Sequence, residues 1–254
     1  MILRYLILIF SPALVLAQEN TGTIIYEEVT QTAYAMKKAG IDASRFKGNM
    51  PNERKNQKKL TFTSEASLYE HYENLEAPPE QITYTRRDGS TVTRTRGGMR
   101  RGQSTVYRNI PSKSTIDSRD FFDKKFLITG EDIKSWKIVM EQREILGYLC
   151  QRAEWQKDSA TLVVAWFTMQ IPVASGPEIY AGLPGMVLKV SINHGEQVIT
   201  ANKIEFVEKL KTPISAPSKG KEVTLEEYKV IVRDKMQEMR EMRRANGGGG
   251  GRRF

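Results

Sequence analysis

The stretch that most constrains the fold is Val163 to Val190, where two apolar runs are separated by three prolines and several glycines. Residues 162–168 form a short apolar run without alternation, which is typical of a strand covered on both faces. Proline has no N–H to donate, so Pro172 and Pro177 interrupt regular strand pairing. Residues 186–192 then resume as a strand with alternate apolar side chains on one face. We therefore predict two core strands joined by a long, stiff connection.

The connection ends in Gly182-Leu183-Pro184-Gly185, which predicts a fixed bend because proline sets φ and the glycines allow positive φ. Prolines lower the backbone entropy of the unfolded chain, so we expect a rigid segment rather than a mobile lid. Its expected role is to close one end of the core, with Ile179, Tyr180 and Leu183 filling that end.

Several spaced motifs accompany this bend. They are Gly147 to Ala153, Ala165 to Thr168, Ile171-Pro172 and Gly176-Pro177. Together with the bend, and in this order, they resemble the GLPGLI family of Bacteroidota cell-envelope proteins over residues 136–206. The resemblance implies an exported, β-rich, non-enzymatic protein, often encoded near TonB-dependent receptors. We treat seven residues as signature or structural positions: Trp166, Pro172, Pro177, Gly182, Leu183, Pro184 and Gly185.

Residues 1–17 have the pattern of a secretory signal peptide. Arg4 supplies the charge, Tyr5 to Phe10 the apolar core, and Val15-Leu16-Ala17 the small-residue cleavage site. No later apolar run approaches the ~20 residues that span a bilayer, so we do not expect an integral membrane protein. The predicted location is the periplasm, or association with the outer membrane.

The formal net charge of +9 becomes +8 when Arg4, the one charge in residues 1–17, is removed. This charge favours acidic partners, either anionic lipid headgroups or acidic protein surfaces. The exported location argues against nucleic acid as the main partner.

Cys150 is the single cysteine and lies among apolar residues, so we predict a buried, inert thiol.

The first half of the sequence predicts a series of short strands. Residues 22–32 alternate around Ile25, Glu27 and Val29, and residues 34–56 resemble a loop or a poorly ordered insert. Residues 58–64 and 67–73 are two further predicted strands, and residues 82–96 a polar hairpin turning at Asp88-Gly89.

An arginine-rich region overlaps this hairpin. It comprises Arg86, Arg87, Arg94, Arg96, Arg100, Arg101 and Arg108. Two interpretations stand: a solvated, charge-protected sheet edge, or a patch that binds an anion or a partner.

In the second half, residues 121–128 predict a strand, and residues 136–141 and 148–156 a hairpin. Consecutive short strands with tight turns indicate one β domain over residues 18–210. The predicted fold class is mainly β (α+β), with a single strongly curved antiparallel sheet or a partly closed barrel.

A linker at 211–223 precedes a predicted helix at 224–245. Thr224 and Glu227 form a capping box. One helix face carries Leu225, Tyr228, Val232, Met236, Met239 and Met242. This face either packs on the sheet or forms an adaptable partner-binding surface.

No constellation of catalytic or metal-binding residues is visible in the sequence. His71 and His194 are the only histidines, and neither has a partner at metal-ligand spacing. We therefore predict no enzymatic activity, no catalytic residues, no metal site and no cofactor.

The tail at 246–254 ends in Arg-Arg-Phe behind consecutive glycines. The glycines form a predicted flexible tether, and the final residues a recognition tag for a partner such as a TonB-dependent-receptor-like outer-membrane protein. The partner-binding residues would be Gly247, Gly248, Gly249, Gly250, Gly251, Arg252, Arg253 and Phe254. Alternatives are a frayed terminus, a carrier domain for a processed peptide, and a half-barrel that binds a lipid or another apolar ligand.

Overall fold

The computed structural model describes residues 20–38, 52–72, 81–85, 91–95 and 104–247. In these ranges the chain forms fourteen strands and two α-helices. The strands are β1 (Gly22–Gln31), β2 (Glu53–Phe62), β3 (Ala66–His71), β4 (Gln81–Thr85), β5 (Thr91–Thr95), β6 (Ser104–Asn109), β7 (Ser114–Phe121), β8 (Lys124–Glu131), β9 (Lys137–Ile145), β10 (Tyr148–Asp158), β11 (Thr161–Thr168), β12 (Met186–Ile192), β13 (Gln197–Phe206) and β14 (Lys221–Thr224). The helices are α1 (Thr32–Lys38) and α2 (Leu225–Gly247).

Twelve strands form one sheet in the order β14-β8-β7-β6-β3-β2-β1-β13-β12-β11-β10-β9. Neighbouring strands are antiparallel except β14 and β8, which are parallel. The mainly β prediction with a C-terminal helix is confirmed. The sheet is mixed rather than antiparallel because the linker brings β14 alongside β8 in the same direction. Since β14 and β9 lie at opposite ends of the order, the sheet is not closed into a barrel.

β4 and β5 pair separately as an antiparallel two-stranded sheet. These are the arms of the predicted hairpin, and its turn at Asp88-Gly89 lies outside the described residues. The second predicted hairpin is β9–β10, and its turn places Leu146 and Gly147 at φ of 52° and 81°. Two consecutive positive φ values match the turn that a twisted two-residue hairpin requires.

β1 lies in the middle of the sheet, between β2 and β13. It buries Ile24, Tyr26 and Glu28, so the predicted face of Ile25, Glu27 and Val29 is wrong. Side chains alternate along a strand, and a shift of one residue reverses the faces. The adjacent isoleucines made both registers compatible with the sequence.

The prediction of a loop over residues 34–56 is also wrong at both of its ends. α1 occupies residues 32–38 and buries Met36. β2 begins at Glu53 and pairs with both β1 and β3. Residues 53–57 pair with β1 and residues 58–62 with both neighbours, and this backbone pairing outweighs the polar composition of the strand.

The main core lies on the face of the sheet that carries Tyr26, and it includes β11. Val163, Ala165 and Phe167 are buried on one face of this strand. On the other face Trp166 and Thr168 are buried but Leu162 and Val164 are half-buried, so the predicted cover on both faces is complete only towards the end of the strand. Trp166 is covered by Arg143, whose guanidinium carbon lies 4.1 Å from the ring centroid. Cys150 is fully buried, as predicted.

α2 begins with the predicted capping box. The Glu227 N–H donates to Thr224 Oγ1 (3.2 Å), and the Thr224 N–H donates to Glu227 Oε2 (2.7 Å). Tyr228 then packs edge-on against Phe126, with ring centroids 5.5 Å apart. The helix extends two residues past the predicted end at 245. Within the described ranges, no helix combines the length and apolar character that crossing a membrane requires.

Candidate functional site

The 169–185 loop connects β11 to β12, which are direct neighbours in the sheet. The chain therefore leaves the sheet after Thr168, folds over the core and re-enters the sheet next to β11. Ile171, Val173 and Leu183 are buried in the core. The loop is held to the sheet by its backbone, since the Met186 N–H donates to the Ile171 carbonyl (3.0 Å) and the Val187 N–H to that of Ser175 (2.9 Å).

Arg108, on β6, lies beneath this loop and is only 1% exposed. Its Nε donates to Asp132 Oδ2 at 2.5 Å, and its Nη2 donates to the Glu178 carbonyl at 3.0 Å. Nη1 faces Ser175 Oγ (3.3 Å) and the Gly176 carbonyl (3.4 Å). One guanidinium thus joins the sheet, the segment after β8 and the 169–185 loop.

Asp132 accepts a second charged hydrogen bond, from Lys134 Nζ to its Oδ1. The Lys134 side chain is 8% exposed, and its ammonium lies 5.9 Å from the Trp155 ring centroid. Burial lowers the pKa of Lys134, and Asp132 opposes this shift. Two cations therefore share one buried carboxylate. We refer to Arg108, Asp132 and Lys134 as the buried charge cluster.

Polar side chains continue from the cluster along the inner face. Ser175 Oγ donates to Ser67 Oγ at 2.7 Å, both fully buried. The Tyr26 hydroxyl donates to the Val187 carbonyl at 2.6 Å, and burial raises its pKa. The first of these hydrogen bonds fixes the 169–185 loop against β3, and the second joins β1 to β12.

A second buried carboxylate lies on β1. The Tyr69 hydroxyl donates to Glu28 Oε1 at 2.7 Å. Burial, with Glu28 beside it, raises the pKa of Tyr69 well above its usual value. Burial also raises the pKa of Tyr180, and Glu178 adds to the shift. Both tyrosines therefore stay neutral at physiological pH.

A cavity of about 180 Å³ opens beside the buried charge cluster. It is lined by Arg108, Asn109, Ile110, Lys113, Asp132, Ile133, Lys134, Ala174 and Gly182. A second cavity, of about 280 Å³, lies near Leu149, Phe167 and Met169. The first combines charged and apolar side chains in its lining.

Two glycines let the loop approach the rest of the chain closely. A Cβ on Gly185 would lie 2.1 Å from the Thr168 carbonyl oxygen. A Cβ on Gly176 would lie 2.3 Å from the Tyr180 carbonyl oxygen. No side chain fits at such distances, so the path of the loop requires both glycines.

The seven signature residues fall in β11 and the 169–185 loop. Trp166, Pro177, Leu183 and Gly185 are buried, whereas Pro172, Gly182 and Pro184 are exposed. Gly182 and the buried charge cluster line the same cavity. Tyr180 and Leu183 belong to the core and Ile179 packs against it; that they close one end of it stays a prediction.

Most of the other predicted site residues lie outside the described ranges. These are Arg86, Arg87, Arg96, Arg100, Arg101, Gly248, Gly249, Gly250, Gly251, Arg252, Arg253 and Phe254. Arg94 belongs to β5, and Gly247 is the last residue of α2. Neither interpretation of the arginine-rich region is tested, but its member Arg108 is a core residue.

Sequence reasoning missed Asp132, Lys134, Ser67 and Ser175. Arg108 alternates with the buried Val106 on β6, and this was the one available signal that it points inward. Among the described residues, no group of three or more His, Cys, Asp or Glu side chains could hold a metal ion.

Comparison with known proteins gives a family match in the same region. The family model described as "Protein of unknown function (Porph_ging)" matches residues 154–189. This span contains β11 and the whole 169–185 loop and falls inside the predicted 136–206 region. The finer assignment to the GLPGLI family remains a prediction.

Two solved structures share the fold. They are described as the structures of PNGF-II in the P21 and C2 space groups, with 17% and 16% identity and a TM-score of 0.51 for each. They cover 83% and 84% of this chain, which spans about a third (32%) of theirs. No curated protein matches the chain. This chain is therefore similar to a family of unknown function over residues 154–189, and to part of PNGF-II in fold.

Proposed function

We propose that the protein is an exported, non-catalytic binding protein of the cell envelope. It works as an accessory or cargo of an outer-membrane machine resembling a TonB-dependent receptor. The C-terminal arm, defined as residues 233–254, is the partner-recognition element. One observation carries this proposal: among the described residues, the apolar packing of α2 on the sheet lies in its N-terminal part.

The packed part of α2 consists of Tyr228, Ile231 and Val232, which contact the cluster of Phe126, Ile128 and Val223. Beyond Val232 the apolar stripe is less completely covered, although Met239 is half-buried. Met236 is 37% exposed and Met242 54%. Uncovered methionines on a helix suit a partner surface, because their unbranched side chains adapt to different shapes.

The charge of the arm favours an acidic partner. Arg240, Arg243 and Arg244 lie in the last turns of α2, and Arg252 and Arg253 follow in sequence. Guanidinium groups form bidentate hydrogen bonds with carboxylates, which gives both affinity and orientation. An apolar stripe followed by arginines therefore fits an apolar groove with an acidic rim.

The alternative of a lipid-binding half-barrel has less support. Ile171, Val173 and Leu183 fill the inner face where a lipid chain would lie. The two cavities described above, of about 180 and 280 Å³, are smaller than the ~300–1,000 Å³ of typical ligand pockets.

The test is capture of partners from envelope membranes by the intact protein, by a truncation after Asn246 and by Phe254→Ala. We expect both variants to lose the captured outer-membrane protein while melting at the same temperature as the parent. Phe122→Ala is the matched control, because Phe122 is an aromatic side chain on the body and is 53% exposed. Full capture by the truncated protein would show that the residues after Asn246 do not recognise the partner.

A further inference from the structure

The cavity beside the buried charge cluster has more positive than negative groups. Its lining contains Arg108, Lys113 and Lys134, against the single carboxylate of Asp132. Both oxygens of that carboxylate are already used, Oδ2 by Arg108 and Oδ1 by Lys134. Among the described residues, Lys113 forms no ion pair.

Lys134, whose side chain is 8% exposed, still has hydrogen-bonding capacity. An ammonium group carries three N–H donors, and among the described residues Lys134 Nζ donates to Asp132. A buried charge is costly unless it is paired and hydrogen-bonded. A bound anion would supply the missing acceptor and balance the excess charge.

Part of the cavity is lined by apolar side chains. Ile110, Ile133 and Ala174 line it, and Ile133 is 71% exposed even though it lies between two buried charged residues. An aliphatic group adjoining the anion would cover this side chain. The volume of about 180 Å³ suits a small group.

We propose that this cavity binds a carboxylate attached to a short aliphatic group. Lys134 and Lys113 would contact the carboxylate, and Ile133 the aliphatic part. A monoanion fits a cluster with an excess of one buried charge better than a phosphate dianion does. Two sources carry this chemistry, a free branched-chain carboxylic acid and the C-terminal residue of a peptide. This site is separate from the C-terminal arm and does not depend on it.

The experiment is calorimetric titration of the full-length protein with three probes. They are 3-methylbutanoate, the peptide acetyl-Gly-Gly-Leu with a free carboxylate, and the same peptide as its C-terminal amide. We expect saturable one-to-one binding of at least one carboxylate and none of the amide. Binding of 3-methylbutanoate alone identifies a small acid as the ligand, and binding of the peptide acid alone identifies a peptide terminus.

Two variants test the lysines. Lys134→Met and Lys113→Met should each weaken carboxylate binding at least tenfold. Lys113 is exposed, so its variant remains informative if Lys134→Met fails to fold. The control is Lys125→Met, which removes a half-exposed lysine on β8 that pairs with Asp120. The proposal is overturned if neither carboxylate binds, if the amide binds as tightly as the acid, or if Lys113→Met keeps the parent affinity.

Discussion

Replacing Gly185 by alanine tests the close contact between the 169–185 loop and β11. The new Cβ would lie 2.1 Å from the Thr168 carbonyl oxygen and 2.8 Å from its carbonyl carbon. Real Cβ atoms essentially never approach within 3.0 Å, so the backbone has to move. Gly185 also has a φ of +156°, in a region that is nearly restricted to glycine.

The magnitude follows from these two costs. Unfavourable φ costs of order 1–3 kcal/mol. Displacing the backbone strains the hydrogen bonds from the Gly185 N–H to Leu183 and from the Met186 N–H to Ile171, at about 1 kcal/mol each. We expect a loss of about 4 kcal/mol in the free energy of unfolding, or roughly 10 °C in melting temperature for a domain of this size.

Two other glycines separate the causes. Gly195 has a φ of +111°, and no atom lies within 4 Å of the position that its Cβ would take, so alanine there incurs backbone strain alone. Gly176 has a close contact of 2.3 Å with no positive φ, so alanine there incurs the steric cost alone. Thermal and urea unfolding should rank Gly185→Ala as the most destabilised and Gly195→Ala as the least. Equal melting temperatures for these two variants would refute the close-contact argument.

Three further outcomes test the core and the start of α2. Arg108→Met leaves Asp132 without its main partner and should cost about 3–5 kcal/mol in urea unfolding, whereas Lys59→Met removes a pair that is a third exposed and should cost under about 1 kcal/mol. Burial raises the pKa of Cys150 from 9.0 to about 11, so the fold favours the neutral thiol. The stability that the neutral Cys150 thiol contributes is lost as pH rises from 9 towards 11. Cys150→Ala should have a flatter stability curve over that interval. Thr224→Ala removes the helix cap and should cost about 1 kcal/mol, with faster amide hydrogen exchange in the first turn of α2.

Features that depend on neighbouring residues could be predicted from the sequence. Thr224 and Glu227 are three residues apart, so their hydrogen bonds follow from helix geometry alone. Leu146 and Gly147 form their turn because two residues connect adjacent strands. The covered strand β11 followed from its continuous apolar composition.

Features that depend on distant residues could not be predicted in this way. Arg108 is 24 positions from Asp132 and 67 from Ser175, and a charged residue in a basic segment is most often exposed. Glu28 is buried because Tyr69, which is 41 positions away, donates to it. The open end of α2 was also unpredictable, because periodicity defines a helix face but not what covers it.

The most direct test of the proposed function is photo-crosslinking in intact cells with a photoreactive residue at position 242. The control places the same residue at position 169 in the 169–185 loop. Met242 and Met169 are both methionines and are similarly exposed, 54% and 61%. The two experiments therefore differ in where the photoreactive residue lies on the protein. The account predicts a discrete crosslink to an outer-membrane protein from position 242 and none from position 169. The same crosslinks from both positions, or none from position 242, would contradict it.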